Sequence, residues 1–387
     1  MNSIVYGLTE AGHKVKILAV NSEKYHIKDK DIPQSYKDKT NIELVDVDLR
    51  IRPIDAFKNL FTDRSYHVER FISEDFRNKL IEILKKDRYD IVQLEMIYMA
   101  PYIETIRAYS EAKIVLRAHN VEHLIWDRIA KKTKFPPKKW YLNHLIRTLK
   151  AYELNAINEV DGIAAITYRD AAFFRGETAV PVVDIPYGVK PEEFTPNYEI
   201  KAKPTLYHIG SMNWMPNEEG ILWFIKNVWE KLSAREPDIV LNLAGRHTPK
   251  WLMNLKKKNI NVLGEVPDAK EFIKNNDIAI VPLLSGSGIR IKIIEAMAMG
   301  KTVITTMVGA EGIQYSEYEN IIIADNPTKI VETICRISKE PEELKRIGRN
   351  ARKLVEDIYD NKKIIERLLI FYDEIKKEKK DITYINH

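Results

Sequence analysis

Two short apolar runs, Ile278-Ala279-Ile280-Val281 and Thr302-Val303-Ile304, enclose Pro282-Leu283-Leu284-Ser285-Gly286-Ser287-Gly288-Ile289-Arg290-Ile291-Lys292-Ile293-Ile294-Glu295-Ala296-Met297-Ala298-Met299-Gly300. The pattern predicts strand, glycine-bearing loop, helix and strand. Glycines at 286 and 288 let the backbone come close to a ligand, and the helix that follows offers unpaired N–H groups and the positive end of its dipole. Arg290 and Lys292 add two cations. Glu295, three residues past Lys292 on the same helical face, can accept hydrogen bonds from vicinal hydroxyls. A phosphate cradle beside an acid for a ribose predicts a nucleotide-sugar site. The plain alternative is a routine turn followed by a surface i,i+3 pair.

The stretch from Gly286 to Ile304 resembles the donor-site signature of the family 4 (group 1) retaining glycosyltransferases of the GT-B fold. Ile209-Gly210-Ser211-Met212-Asn213-Trp214-Met215-Pro216-Asn217 is similar to the first strand and turn of the same nucleotide-binding domain. Tyr187-Gly188-Val189-Lys190-Pro191-Glu192-Glu193-Phe194 resembles the segment where the family's first domain hands over to its second, and Gly309-Ala310-Glu311-Gly312-Ile313 its loop beyond the next strand. The fold implied is α/β, with two Rossmann-like domains facing across a cleft. Residues 1–192 would form the acceptor-side domain and 200–361 the nucleotide-sugar domain, with a C-terminal helix, 362–387, packing back on the first.

The resemblance also implies roles. Gly286, Ser287, Gly288, Arg290, Lys292 and Glu295 would hold the donor, together with Gly210 and Gly245 at strand ends and Val266 where backbone meets the base. His119, Arg290, Lys292 and Glu295 are the expected catalytic set, with His119 facing the donor sugar and Glu295 anchoring the ribose. The family retains anomeric configuration by front-side attack, with no enzymic nucleophile. Ser287 is a departure, since many members carry a glutamate there against the donor sugar, and a hydroxyl cannot reproduce paired acceptance by a carboxylate. The donor sugar is therefore open. No cofactor is expected, and no Asp-X-Asp or clustered His/Asp set near the loop suggests a metal.

At 387 residues two domains are expected. No run of eighteen apolar residues occurs, and the N-terminal residues do not open a charged-then-apolar signal peptide. With one cysteine, Cys335, the expected compartment is the cytoplasm. A net charge of +5 and no aromatic-interleaved basic platform argue against nucleic acid. Lys131, Lys132, Lys134, Lys138, Lys139, Arg147 and Lys150 occur without an acid between 131 and 150, among Phe135, Trp140 and Tyr141. That composition suits peripheral contact with the anionic inner face of a membrane, or a solvated loop leading into a core helix. The lysine-rich tail, 376–380, reads as solvated.

Along the chain, Ile4, Val5, Leu8 and Ala11 take helical spacing, Gly12 makes a stop, and Val15 to Val20 reads as a strand. A Rossmann-like domain should begin one strand earlier, so the first strand is expected to be missing or supplied by another segment. Strands are predicted at 42–47, 91–94, 113–117, 162–166, 182–186, 205–209, 240–244 and 260–266, and helices at 71–86, from 142, at 221–232 and from 342. Such alternation means parallel sheets with helices on both faces. His119 follows the strand at 113–117, where ligands gather in such sheets. Glu122 and His123 either support it or begin the next helix.

Two other functions fit the same residues. One is a GT-B nucleotide-sugar epimerase, the other a non-catalytic partner subunit that keeps the fold. Polysaccharide, lipid-linked sugar and phospholipid all remain open as acceptors.

Overall fold

The computed structural model describes residues 2–286 and 288–377 and divides into two compact units. The first comprises residues 1–186 and 365–387, the second residues 187–364.

In the first unit, helix α1 (Asn2–Glu10) ends at Gly12, whose φ of +88° only glycine adopts without strain. Strands β1 (Leu18–Asn21) and β2 (Glu43–Asp46) form a two-stranded parallel sheet. Helix α2 (Pro53–Asn59) follows, then α3 (Glu74–Lys86), where Ser73 caps the first turn by accepting from Phe76 N. Phe76, Leu80, Ile83 and Leu84 are buried, as their spacing predicts. Strands β3 (Ile91–Glu95), β4 (Lys113–Ala118), β5 (Gly162–Ala165) and β6 (Val182–Asp184) form a second parallel sheet in sequence order. Between β4 and β5 run α4 (Glu122–Lys132) and the long α5 (Pro136–Ala156). One apolar core, including Leu80, Leu94, Ile106, Leu116 and Ile163, packs with side chains of both sheets.

The C-terminal helix, Asn361–Lys377, lays its residues from 365 onward on this unit. A Cβ on Gly162 would stand 2.2 Å from Ile375 Cδ1, so the bare backbone lets the helix come close. Arg367 bonds Asp184, and Tyr372 donates to Gln93 at 2.5 Å.

The second unit holds β7 (Thr205–Ile209), β8 (Val240–Ala244), β9 (Ile260–Gly264), β10 (Ile278–Val281), β11 (Thr302–Thr305) and β12 (Ile322–Ile323) in one parallel sheet. Their order is β12-β11-β10-β7-β8-β9. Chain direction across the sheet reverses between β7 and β10, which is the switch point where loops part and leave a crevice. Two apolar clusters cover the sheet's faces. Helix α6 (Met215–Phe224) begins earlier than the expected 221, because Pro216 pre-sets the first turn, and it runs on through a π-turn at Ile225–Trp229. Helix α7 (Ile291–Ala298) joins β10 to β11.

Candidate functional site: a glycine loop and a buried lysine at the strand switch

β10 is wholly buried, and the chain leaves it through Pro282 into the glycine loop. Gly286 has φ of +110° and Gly288 +79°, both in the region side chains disfavour. Ser287 lies outside the described residues. Arg290 sits at the N-cap of α7, 4% exposed, and donates to Gly288 O at 2.6 Å. Its guanidinium lies 5.4 Å from the Trp214 ring, a cation–π contact between the loops after β10 and β7.

Lys292 projects from the first turn of α7 to the end of β7. Its Nζ donates to Asn217 Oδ1 at 2.6 Å and lies 3.4 Å from His208 Nε2. Asn217 is held by donating its amide to Ser211 O at 2.8 Å. His208 donates Nδ1–H to Ile280 O at 2.8 Å. Burial, then the charge of Lys292, holds the imidazole well below its ordinary pKa, so it is neutral with the Nε2 lone pair toward the ammonium. Burial, reinforced by Arg290, pushes Lys292 down to about 7. Burial pushes Glu295 up against the opposing pull of Lys270 and Lys292. Two cations forced together in a dry site favour an anion there.

The glycines after β7 and β8 are required by space. A Cβ on Gly210 would stand 2.3 Å from Lys292 Nζ, and one on Gly245 1.8 Å from Gly210 O. Val266, past β9, is half-buried against the core beside the same sheet. Ser285 donates to Glu219 on α6 at 2.7 Å, a second tie between the two loops. Thr306 accepts from Gly309 N and donates to Leu283 O, fastening the Gly309–Gly312 segment behind the glycine loop. The structure thus brings Gly210, Gly245, Gly286, Gly288, Arg290 and Lys292 around one strand switch, with Glu295 on the next turn of α7. It adds His208, Asn217 and Trp214, which the sequence reading did not single out as site residues.

In the first unit, His119 follows β4. Its Nε2 pairs with Glu95 at the end of β3 at 2.6 Å, and Arg117 lies 3.9 Å from the same carboxylate. Burial raises the Glu95 carboxyl, but the His119 hydrogen bond and Arg117 outweigh it and hold it below its ordinary value. Glu122 and His123 begin a helix. Glu153 on α5 accepts from both of their backbone N–H groups and from the His123 ring at 2.6 Å. Glu122 accepts from Tyr98 at 2.8 Å. These are buried packing contacts that fix α4 to α5.

Among the described residues no group of three or more His, Cys, Asp or Glu side chains is placed to hold a metal ion, and no helix is long and apolar enough to cross a membrane.

The architecture is that of the GT-B glycosyltransferases. Sucrose-phosphate synthase of Thermosynechococcus elongatus is similar with a TM-score of 0.65 and 16% identity, over 96% of this chain and 91% of that one. Anabaena HepE, solved in complex with UDP and glucose, is similar at 0.60 and 11%, over 93% and 99%. Residues 203–340 match the family model described as Glycosyl transferases group 1, so the match falls within the second unit and spans the loop and α7. A Klebsiella pneumoniae protein described as an uncharacterized 44.6 kDa protein in the cps region is 24% identical over 303 residues, 76% of each chain. The match to the group 1 family thus lies in the second unit, and the likeness to solved structures extends the GT-B fold over nearly the whole chain.

Proposed function

We propose that the protein is a retaining glycosyltransferase of family 4. It transfers a sugar from a nucleoside diphosphate sugar to a glycan or lipid-linked acceptor, in cell-surface polysaccharide or glycoconjugate synthesis in the cytoplasm. The observation that carries the reading is Lys292, buried at the strand switch beside Arg290 and under a loop with two left-handed glycines. Similar structures carry UDP or UDP-glucose, and the Klebsiella relative lies in a cps region, which supports donor class and setting.

In this reading Arg290, Lys292 and the loop N–H groups stabilise the charge of the departing diphosphate. Glu295 receives the ribose hydroxyls, and backbone at Val266 meets the base. His119 contacts the donor sugar, with Glu95 fixing its ring. No metal or cofactor is invoked. The sugar keeps its anomeric configuration because acceptor attack and diphosphate departure occur on one face.

The test is incubation with a panel of nucleotide sugars. A true donor at about 100 times its dissociation constant raises unfolding free energy by about 2.7 kcal/mol. NMR of the products must then show a new glycoside of unchanged anomeric configuration and free nucleotide. An altered sugar without a glycoside would point to epimerisation, and stabilisation without turnover to a non-catalytic subunit.

A further inference from the structure

Helix α2 is built inside out. Its inward positions are Ala56, which packs beside Tyr66, Leu142 and Leu145, and Asn59, which is 3% exposed and bonded to Arg64 O and Glu69. Its outward positions are large and apolar: Ile54 is 70% exposed, Phe57 63% and Phe61, one turn on, 77%. They follow i, i+3, i+7 spacing and so form one stripe. Phe57 and Phe61 meet edge to face at 5.5 Å. Ile51, just before the helix, is 69% exposed. A surface helix normally turns such a stripe to the core.

The stripe is extended by α5. His144 Nε2 lies 3.3 Å from Asn59 O, and Arg147 lies 4.0 Å from Asp63, so the end of α2 rests on α5. Trp140, 64% exposed, shares the helical face of His144 and Arg147, and Phe135, 64% exposed, begins the same helix. Every large apolar side chain of the described first unit more than 60% exposed lies in these two stretches. Seven basic residues and no acid occupy 131–150, and Arg50, Arg52, Lys58 and Arg64 flank the stripe against Asp55 and Asp63.

We infer that this face docks on an anionic lipid bilayer, with Ile51, Ile54, Phe57, Phe61, Phe135 and Trp140 entering the interface and the lysines of 131–139 meeting the headgroups. A bilayer offers an apolar layer and an anionic layer together, which matches both halves of the face. Arg50, Arg52 and Asp55, alternating with Ile51 and Ile54, line a polar cavity of about 550 Å³ with Tyr66, Glu69 and Arg70. One side of a single segment thus forms the cavity wall and the other the docking face. The cavity then opens beside the lipid and is placed to receive a polar group carried on it, which makes a lipid-linked acceptor the class favoured. That consequence rests on the proposed glycosyl transfer, whereas the docking does not.

The test is co-sedimentation of the full chain with vesicles of phosphatidylcholine alone and of phosphatidylcholine mixed with phosphatidylglycerol. Binding is expected to the mixed vesicles, to weaken with salt, and to fall at least about tenfold in Ile54→Asp/Phe57→Asp/Phe61→Asp, since burial of each apolar side chain alone accounts for more than that. Lys138→Glu/Lys139→Glu is expected to remove the preference for phosphatidylglycerol. All the substituted side chains are exposed, so melting temperature and stabilisation by UDP-glucose should not change, and these confirm folding and donor binding separately from docking. Absence of vesicle binding by the wild-type chain, or binding unaffected by both variants, overturns the inference. So does sedimentation equilibrium showing a dimer that the triple variant dissolves while vesicle binding persists, since the face would then belong to a second copy.

Discussion

The ammonium of Lys292 is held by Asn217 Oδ1 at 2.6 Å, which ties the helix after β10 to the segment after β7. Strand order reverses between those two strands, so the bond links the two segments that part at the switch point. A ligand there must either displace this bond or add to it.

Replacement of Lys292 by Met keeps length and removes the charge. Charge-assisted hydrogen bonds contribute about 1.5–3 kcal/mol, so affinity for whichever nucleotide sugar the donor panel identifies, measured by titration calorimetry, should fall about ten- to hundredfold. Asn217→Ala should weaken binding less, since it removes only the group that orients the ammonium. Unchanged affinity in Lys292→Met would refute the diphosphate role.

The titration of Lys292 gives binding a pH signature. Burial, and then Arg290, hold its pKa down at about 7, below the ordinary 10.5. A diphosphate raises it again, so binding above pH ~7 takes up a proton and affinity declines as pH rises through the window between the two values. Calorimetry in buffers of different ionisation enthalpy should show uptake at pH 8 with that nucleotide sugar, and none in Lys292→Met. Folding without ligand has the opposite trend. The unfolded chain binds more protons between pH ~7 and 10.5, so this group makes the folded state more stable as pH rises across that range.

Gly245→Ala should damage the fold before it touches chemistry. The added methyl meets Gly210 O at 1.8 Å, which is backbone and cannot rotate away. A loss of about 1–3 kcal/mol is expected by denaturant titration, with weaker nucleotide binding as the strand ends part. Wild-type stability would show that the sheet can spread there without cost.

Glu153→Ala addresses the other unit. It removes the acceptor of three hydrogen bonds at the start of α4 and strands the buried His123. Stability should fall by about 3 kcal/mol or more, read by chemical denaturation. Nucleotide-sugar binding in the refolded protein should be unchanged. His119→Ala should lower kcat more than it lowers the unfolding midpoint, because the ring is partly exposed and the Glu95 carboxylate it leaves behind still has Arg117 at 3.9 Å.

Much of this was legible in the sequence because burial on both faces leaves unbroken apolar runs, as at 114–116 and 278–281. The glycine loop could be read because positive φ admits few residues other than glycine. What escaped has physical reasons. Asn217 and His208 reach Lys292 from 75 and 84 positions away, and a polar residue in a strand or turn carries no mark of its distant partner. β12 is two residues long, too short for any period. The stripe at 51–61 shows that spacing reveals a face without saying which way it points. That depended on Asn59 finding partners inward.

Val189 and Asp360 form an isolated backbone bridge, with Val189 N donating to Tyr359 O at 2.9 Å and Asn361 N to Val189 O at 2.8 Å. The beginning and the end of the second unit are therefore neighbours. A gene fragment encoding 187–364 has its ends already stitched together, which makes it a natural candidate for expression by itself, for ring closure through a short linker, or for grafting as a cassette into a foreign loop. The first unit, made of two separate lengths of chain, offers no such single excision.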